Sequence, residues 1–360
     1  MNRFFSETTK RLTPYVPGEQ PKTGHFIKLN TNENPYPPTP GVEEILRTIA
    51  PDVLRLYPDP VALELRQSIA KNYDVDTDSV FVGNGSDEVL AFLFQAFFGE
   101  NDIVAFPDIT YSFYPVYAGL YNIPFITVPL TDLWTIDLSA YPEDIKGLII
   151  ANPNAPTGIA MSAEKIEMVL KARPDTLIVI DEAYADFGAE SVIPLTKTYD
   201  HLLVVKTMSK SRSFAGMRVG YAIGNKELLE GLIRVKDSFN SYPLDVVAQK
   251  AANASFLDKA YFIETVNKVI ETRERFIESL CSLNIHSLPS KSNFVFVSVP
   301  GVPGKDVMDH LRSEGVLVRY FHMPRLMNWV RITIGTDEDM IKLTELLHRI
   351  TVNHKIHREK

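Results

Sequence analysis

The sequence predicts an α/β protein: a mostly parallel seven-stranded sheet in a large domain with helices on both faces, plus a smaller α+β domain. Three observations carry this. Seven short apolar and β-branched runs, at residues 80–82, 103–106, 125–128, 147–150, 177–180, 202–205 and 219–223, alternate with longer helical patterns. Most of these runs lack strict polar alternation, as strands covered on both faces by helices do, and strand–helix alternation points to a parallel sheet. A chain of 360 residues is also long for one core. It divides into a large unit at 30–255 and a small one, 256–360, joined by the N-terminal arm 1–29.

Taken in order, Asn34-Pro-Tyr-Pro-Pro-Thr-Pro40 reads as an ordered extended arm or turn, because proline restricts both its own φ and the residue before it. The strand at 80–82 runs into Gly83-Asn-Gly-Ser-Asp-Glu88, whose glycines permit a tight turn before a helix over 89–98. Later runs end in Pro107-Asp-Ile-Thr-Tyr-Ser-Phe-Tyr114 and in the turn Asn152-Pro-Asn-Ala-Pro-Thr-Gly158. A charged helix over 256–280 leads into a second, βαβ-like section: a strand at 293–297, a helix at 305–314, strands at 316–319 and 329–333, and a last helix to about 350. The basic tail 354–360 reads as a solvated end. No repeat of fixed period and no low-complexity linker interrupts this order.

With 45% apolar and 23% charged residues the chain has the composition of a soluble globular protein and not of a disordered one. A formal net charge of -8 argues against a nucleic-acid or anionic-membrane surface, while leaving room for a local basic pocket that takes a small anion. The single cysteine, Cys281, cannot form an internal disulfide, which fits a reducing cytoplasm, and is expected as a buried core thiol. No segment approaches the eighteen or so apolar residues of a membrane span, and the N-terminus has no long apolar run, so the chain is expected to be unprocessed, soluble and cytoplasmic.

Open α/β sheets present ligands at the C-terminal ends of their strands, and the chemistry-bearing residues cluster there. Thr207-Met-Ser-Lys210 is followed by Gly216-Met-Arg218-Val-Gly220. A lysine that is buried or flanked by a cation loses its proton readily and forms a Schiff base with an aldehyde. Arg218 with the hydroxyls of Thr207 and Ser209 suits a phosphate dianion. Together they suggest a phosphorylated aldehyde cofactor, of which pyridoxal phosphate is the common one; a solvated lysine is the alternative. Gly85, Ser86 and Asp87 at a helix start offer free amides and a hydroxyl to a phosphate, or are a turn with its cap.

Asp181, in Asp181-Glu-Ala-Tyr184, suits a protonated pyridine nitrogen, and Tyr184 is near enough to reach the ring's 3-hydroxyl; otherwise the pair is a helix cap and a packed aromatic. Asn154 in its turn offers an amide to the same oxygen or is purely structural. Tyr111 either stacks on a flat ring or packs in the core. Arg319 and Arg331 lie in strands, where a guanidinium meets an anion; a salt bridge to Asp337 or Glu338 is the alternative. No metal-ligand set is expected.

The order of these motifs resembles the fold-type I, class I/II aminotransferases. The resemblance rests on Asn32-Glu-Asn-Pro35, Tyr57-Pro58, Gly83 to Glu88, Pro153 to Gly158, Asp181 to Tyr184, Ser209-Lys210 with Arg218, and Arg331-Ile-Thr-Ile-Gly335, and runs from about residue 12 to 335. Within that group, Leu12-Thr-Pro-Tyr-Val-Pro-Gly18, Leu29-Asn-Thr-Asn-Glu-Asn-Pro35 and the short length are most similar to the histidinol-phosphate aminotransferases. The resemblance implies a pyridoxal 5'-phosphate enzyme of histidine biosynthesis, exchanging an amino group between L-histidinol phosphate and 2-oxoglutarate to give glutamate. It implies that Lys210 holds the cofactor, Asp181 its ring nitrogen, Tyr184 its 3-oxygen and Tyr111 its face. Gly85, Ser86, Asp87, Thr207, Ser209 and Arg218 would surround the phosphate. Arg331 and Arg319, helped by Tyr15 and Asn32, would bind the substrate's anionic end. A homodimer is implied, with Tyr57 and Tyr15 contributed across the interface. The chain departs from the pattern at Ala155, where family members often carry Asn, so an amide to the 3-oxygen must come from Asn154 or be absent.

Two other readings share parts of these motifs. An aromatic aminotransferase or a threonine-phosphate decarboxylase would use the same cofactor residues. A non-enzymatic, cofactor-binding regulator would usually carry a fused DNA-binding domain, and this acidic chain has neither spare length nor a basic helix-turn-helix ahead of Tyr15.

Overall fold

The structure, a computed structural model, describes residues 3–358. Its strands are β1 (Ile27–Lys28), β2 (Val80–Asn84), β3 (Val104–Pro107), β4 (Phe125–Val128), β5 (Gly147–Ala151), β6 (Leu177–Asp181), β7 (Leu202–Thr207), β8 (Val219–Gly224), β9 (His286–Ser287), β10 (Phe294–Ser298), β11 (Val316–Leu317), β12 (Arg319–Tyr320) and β13 (Val330–Thr333). Its helices are α1 (Glu7–Arg11), α2 (Pro40–Thr48), α3 (Leu63–Tyr73), α4 (Gly85–Phe97), α5 (Tyr114–Tyr121), α6 (Ala163–Ala172), α7 (Lys226–Phe239), α8 (Val246–Leu257), α9 (Lys259–Ser282), α10 (Gly304–Ser313) and α11 (Asp337–Arg358).

All seven expected runs form one sheet, in the order β2-β8-β7-β6-β5-β3-β4. Only β8 runs against the rest, pairing antiparallel with both β2 and β7. The near-continuous apolar runs are explained by two cores, one on each face. Leu148 and Ile150 of β5 and Ile178 and Ile180 of β6 pack toward α3, α6 and α8. The alternate residues Ile149, Ala151, Leu177 and Val179 join α4, α5 and α7 on the other face.

The remaining strands make a four-stranded antiparallel sheet, β12-β13-β10-β9, beside a parallel pair, β1-β11, over a separate apolar core with α9, α10 and α11. The βαβ-like reading of this section needs correction. The run at 316–319 is broken at Val318: Val316–Leu317 pairs with β1, while Arg319–Tyr320 turns onto β13 in antiparallel register. The charged helix also begins later than residue 256. Phe256 belongs to α8, and the Asp258 carboxylate accepts from Tyr261 N to cap α9.

The helix after β2 begins four residues earlier than expected, because Gly85 takes a positive φ of 81° and turns the strand directly into α4. Cys281 is exposed, not a core thiol; it lies off the face of α9 that buries Arg273, Phe276 and Leu280. The last helix continues past 350 to Arg358, and residues 359 and 360 of the expected solvated tail lie outside the described residues. The proline-rich stretch braces the loop after β7: Asn34 Nδ2 donates to the carbonyls of Lys210 (3.0 Å) and Ser211 (3.3 Å), and Pro40 opens α2. No helix among the described residues is long and apolar enough to cross a membrane.

Candidate active site

The C-terminal ends of β3, β5, β6 and β7 open into a cleft of about 940 Å³, closed on the far side by the arm and by the β12–β13 edge of the small sheet. Thirteen of the sixteen candidate residues line it: Tyr15, Asn32, Ser86, Asp87, Tyr111, Asp181, Tyr184, Thr207, Ser209, Lys210, Arg218, Arg319 and Arg331. Gly85, Tyr57 and Asn154 do not.

Lys210 follows β7 by three residues, and its Nζ donates to the Thr31 carbonyl at 3.1 Å. Burial, then the nearby Arg331 charge, pushes its pKa down to about 8, so roughly a tenth of the amine is neutral at pH 7, far more than for an ordinary lysine. Behind it, Ser211 donates to Asp186 (2.5 Å), which also accepts from Lys206 (2.9 Å); Lys206 in turn meets Glu182 at 3.2 Å. This buried network ties the lysine loop to the loop that follows Asp181.

Asp181 ends β6 and is 5% exposed. Tyr114 donates to its Oδ2 at 2.8 Å and Ala183 N to its Oδ1 at 3.1 Å. Both bonds favour the carboxylate, yet burial outweighs them and raises its pKa to about 6. Tyr184 accepts from Asn32 Nδ2 at 3.0 Å and sets its ring edge-on to Phe294, with centroids 5.0 Å apart.

An anion cradle lies at the start of α4. Cβ atoms at two glycines would destroy it: one on Gly85 would sit 2.5 Å from Arg218 Nη2, and one on Gly220 would sit 2.2 Å from Ser86 N. The helix N-terminus, the Arg218 guanidinium and the hydroxyls of Ser86, Thr207 and Ser209 therefore face one space at the cleft wall, a donor set that fits a phosphate dianion. Asp87 lines the same space in the first turn of α4, with its side chain engaged elsewhere. Its carboxylate accepts from Tyr111 (2.8 Å) and pairs with Arg218 (2.8 Å), so the side chain orients two other residues while the helix start offers backbone N–H groups.

Arg319 and Arg331 face each other across the β12–β13 ladder. Arg331 donates to the Asn30 carbonyl at 3.1 Å and lies over Phe294 and Phe321, but its buried Nε has no partner. A buried guanidinium N–H without an acceptor suits an incoming anion. The alternative ion pair is not formed: Asp337 is engaged by Arg275 and Thr272.

Tyr15 reaches the cleft of its own chain, which corrects the expectation that it crosses a subunit interface. Its ring packs on Phe113 at 4.6 Å, while Arg319 donates to the carbonyls of Val16 and Pro17 and so holds the arm down. Tyr57 is 83% exposed and stacks on Tyr242, away from the cleft. Asn154 spends its amide N–H groups on the Ile109 carbonyl and Thr157 Oγ1, and it is Ala155 that lines the cleft.

Sequence reasoning missed Tyr114 and Thr31. Tyr114 opens α5 three residues beyond Tyr111 and sets its ring edge-on to it, an arrangement made by the turn between them and not by a helical face. Thr31 acts through its carbonyl, which leaves no trace in residue type.

Residues 24–350 match the family model described as aminotransferase class I and II. The chain is 52% identical over 350 residues to the histidinol-phosphate aminotransferase of Gluconacetobacter diazotrophicus, covering 97% of this chain and 98% of that protein. It is 51% identical, again over 350 residues, to that of Chromohalobacter salexigens, covering 97% and 99%. The crystal structure of histidinol-phosphate aminotransferase from Sinorhizobium meliloti in complex with pyridoxal-5'-phosphate superposes with a TM-score of 0.86 over 98% of this chain and 97% of that one. At 24% identity, that likeness concerns the fold alone.

Proposed function

The chain belongs to the class I and II aminotransferases, and from that premise we propose that it uses pyridoxal phosphate to move the amino group of L-histidinol phosphate to 2-oxoglutarate, giving imidazole-acetol phosphate and glutamate. The observation that carries this reading is the 52% identity across 97% of the chain to a relative of that name, joined to a cleft whose donors suit a phosphorylated aldehyde.

When bound, the cofactor supplies an aldehyde for an amine and a protonated ring that draws electrons from the carbon bearing it. Arg218, Ser86, Thr207 and Ser209 hold its phosphate, and Tyr111 covers its ring. Asp181 places a carboxylate, oriented by Tyr114, against the positive ring nitrogen. Lys210 Nζ would hold the aldehyde and, when free, would carry a proton to and from the substrate carbon; a pKa near 8 suits both directions. Arg331 and Arg319 grip the phosphate ester of one substrate and the carboxylate of the other.

The chain works as a cytoplasmic homodimer in this reading, with Tyr57 completing the partner's phosphate site. Supporting it, Leu54, Leu56, Tyr57, Val61 and Leu63 are exposed in one stretch that continues onto Tyr242. The large unit is residues 30–255; the arm 1–29 and residues 256–360 form the small one, consistent with their separate cores.

The test is a set of single half-reactions. L-Histidinol phosphate, L-phenylalanine or threonine phosphate is added to the yellow protein without any oxo acid. Rapid loss of the yellow absorption with histidinol phosphate alone is expected. Loss with one of the others instead moves the chain to a sister activity, and no response to any amine removes the enzymatic reading.

A further inference from the structure

We propose that Asn32 is a positioning residue for the cofactor's 3-oxygen: anchored to the small sheet, it fixes the Tyr184 hydroxyl so that the hydroxyl's own hydrogen points at that oxygen. The proposal rests on the pyridoxal phosphate reading above.

Asn32 is 1% exposed and adopts a left-handed backbone with φ of 55°, uncommon for a residue with a Cβ. Three contacts from the small domain hold it there. Its N–H donates to Thr333 Oγ1 at 3.0 Å, its Oδ1 accepts from the same hydroxyl at 3.1 Å, and its carbonyl accepts from Asn293 Nδ2 at 3.0 Å. This arrangement decides which way the amide faces. Thr333 Oγ1 accepts from the Asn32 N–H, and with the amide turned over its own hydrogen would meet no acceptor among the described residues, so that hydrogen goes to Oδ1 and Nδ2 faces Tyr184. Tyr184 thereby receives a hydrogen bond on its oxygen, and no acceptor among the described residues takes its hydrogen. The amide that might have served the ring oxygen directly is missing, because Ala155 lines the cleft and Asn154 is spent on Ile109 and Thr157. Tyr184 is the donor that remains, and Asn32 aims it.

Thr333 lies two residues beyond Arg331 on one strand, so the group that grips the substrate anion and the group that anchors Asn32 move together. The charges facing Tyr184 are Arg331 on β13, Asp181 on β6, Asp87 on α4 and Lys210, whose Nζ is 5.9 Å from the ring centre. All four are left in place by the substitutions below.

The test is the pH midpoint of the visible absorption of the cofactor-loaded protein. A donor to the 3-oxygen stabilises its anionic form and makes the Schiff-base nitrogen at Lys210 less basic, so losing the donor raises the midpoint. Asn32→Ala is expected to raise it by roughly half a unit to one unit, the size of one hydrogen bond. Tyr184→Phe raises it at least as far, and the double variant goes no further than Tyr184→Phe alone. Thr333→Val moves it the same way, while Thr333→Ser restores it. Additive shifts in the double variant, or an unchanged midpoint in an Asn32→Ala protein that binds cofactor fully, overturn the proposal. Should Asn32→Ala not fold, the Thr333→Val and Thr333→Ser pair decides it. A wild-type protein that takes up cofactor but ignores histidinol phosphate sinks the substrate reading and leaves this titration intact; one that never turns yellow sinks both.

Discussion

Asp181 is 5% exposed, with Tyr114 and the Ala183 N–H as its partners, and burial raises its carboxyl to about 6. Its unfolded value is near 3.8, so between pH 4 and 6 the folded chain binds more protons than the unfolded one, and stability falls as pH rises through that window. At neutral pH the ionised carboxylate therefore costs the cofactor-free protein on the order of 2–3 kcal/mol. Asp181→Asn is expected to raise the thermal midpoint of the cofactor-free protein at pH 7, to leave it nearly unchanged at pH 4, and to lower cofactor affinity and turnover. A lower midpoint at pH 7 would count against burial as the dominant cause. At Lys210 the direction is opposite, because burial and Arg331 pull the amine down to about 8. The rate at which cofactor-free protein captures pyridoxal phosphate should rise with pH, with a midpoint near that value. Arg331→Met should move the midpoint upward by removing a repelling charge, and stopped-flow absorbance across pH checks both.

The crossing of β2, β8 and the start of α4 is held at a distance that only glycines allow. Gly83 and Gly220 are register partners on adjacent strands, and the α4 backbone rests on Gly220. In Gly220→Ala the new Cβ meets Ser86 N and Gly85 C, both backbone, so α4 must shift away from Arg218. Overpacking of this kind costs about 1–3 kcal/mol, and the cradle loosens with it. The expected outcome is at least tenfold weaker pyridoxal phosphate binding by equilibrium titration, with kcat of the saturated enzyme less affected. Unchanged affinity would show that the helix start does not hold the phosphate. The antiparallel β12–β13 edge acts at the same scale, because a cross-strand pairing, not any local motif, brings Arg319 opposite Arg331.

At the scale of the whole molecule, the cleft is assembled from the parallel sheet, the small sheet and the arm, and one face still leaves large apolar side chains in water. Leu54, Leu56 and Tyr57 are each more than half exposed. Leu54→Asp combined with Leu56→Asp is expected to convert a dimer to a monomer in sedimentation, and to weaken cofactor retention because Tyr57 no longer reaches a partner. A wild-type protein that sediments as a monomer would remove that reading.

Much of this was legible in the sequence, for reasons that differ by feature. The strands of the large sheet were visible because most are apolar on both sides, the edge strand β4 excepted, and Lys210, Asp181 and Arg218 were visible because they sit at strand ends in short motifs. The small sheet was misread because its period does not reveal which strand pairs with which, and Val316 to Tyr320 divides between two partners. Tyr15 was placed across an interface because an arm's sequence does not say whose cleft it covers; Arg319 binding the Val16 and Pro17 carbonyls decides it. The sequence placed Asp87 at the helix start but did not show that its two oxygens meet Tyr111 and Arg218. The sequence by itself determined the α/β class, the family and the residue types that meet a phosphorylated aldehyde, since hydrophobic period and local turn chemistry are written within a few residues. The tertiary structure alone decided how those residues are aimed. Asn32 bonds Tyr184 across 152 positions and Thr333 across 301, and a hydrogen bond between such distant positions leaves no periodic or local signal in the chain.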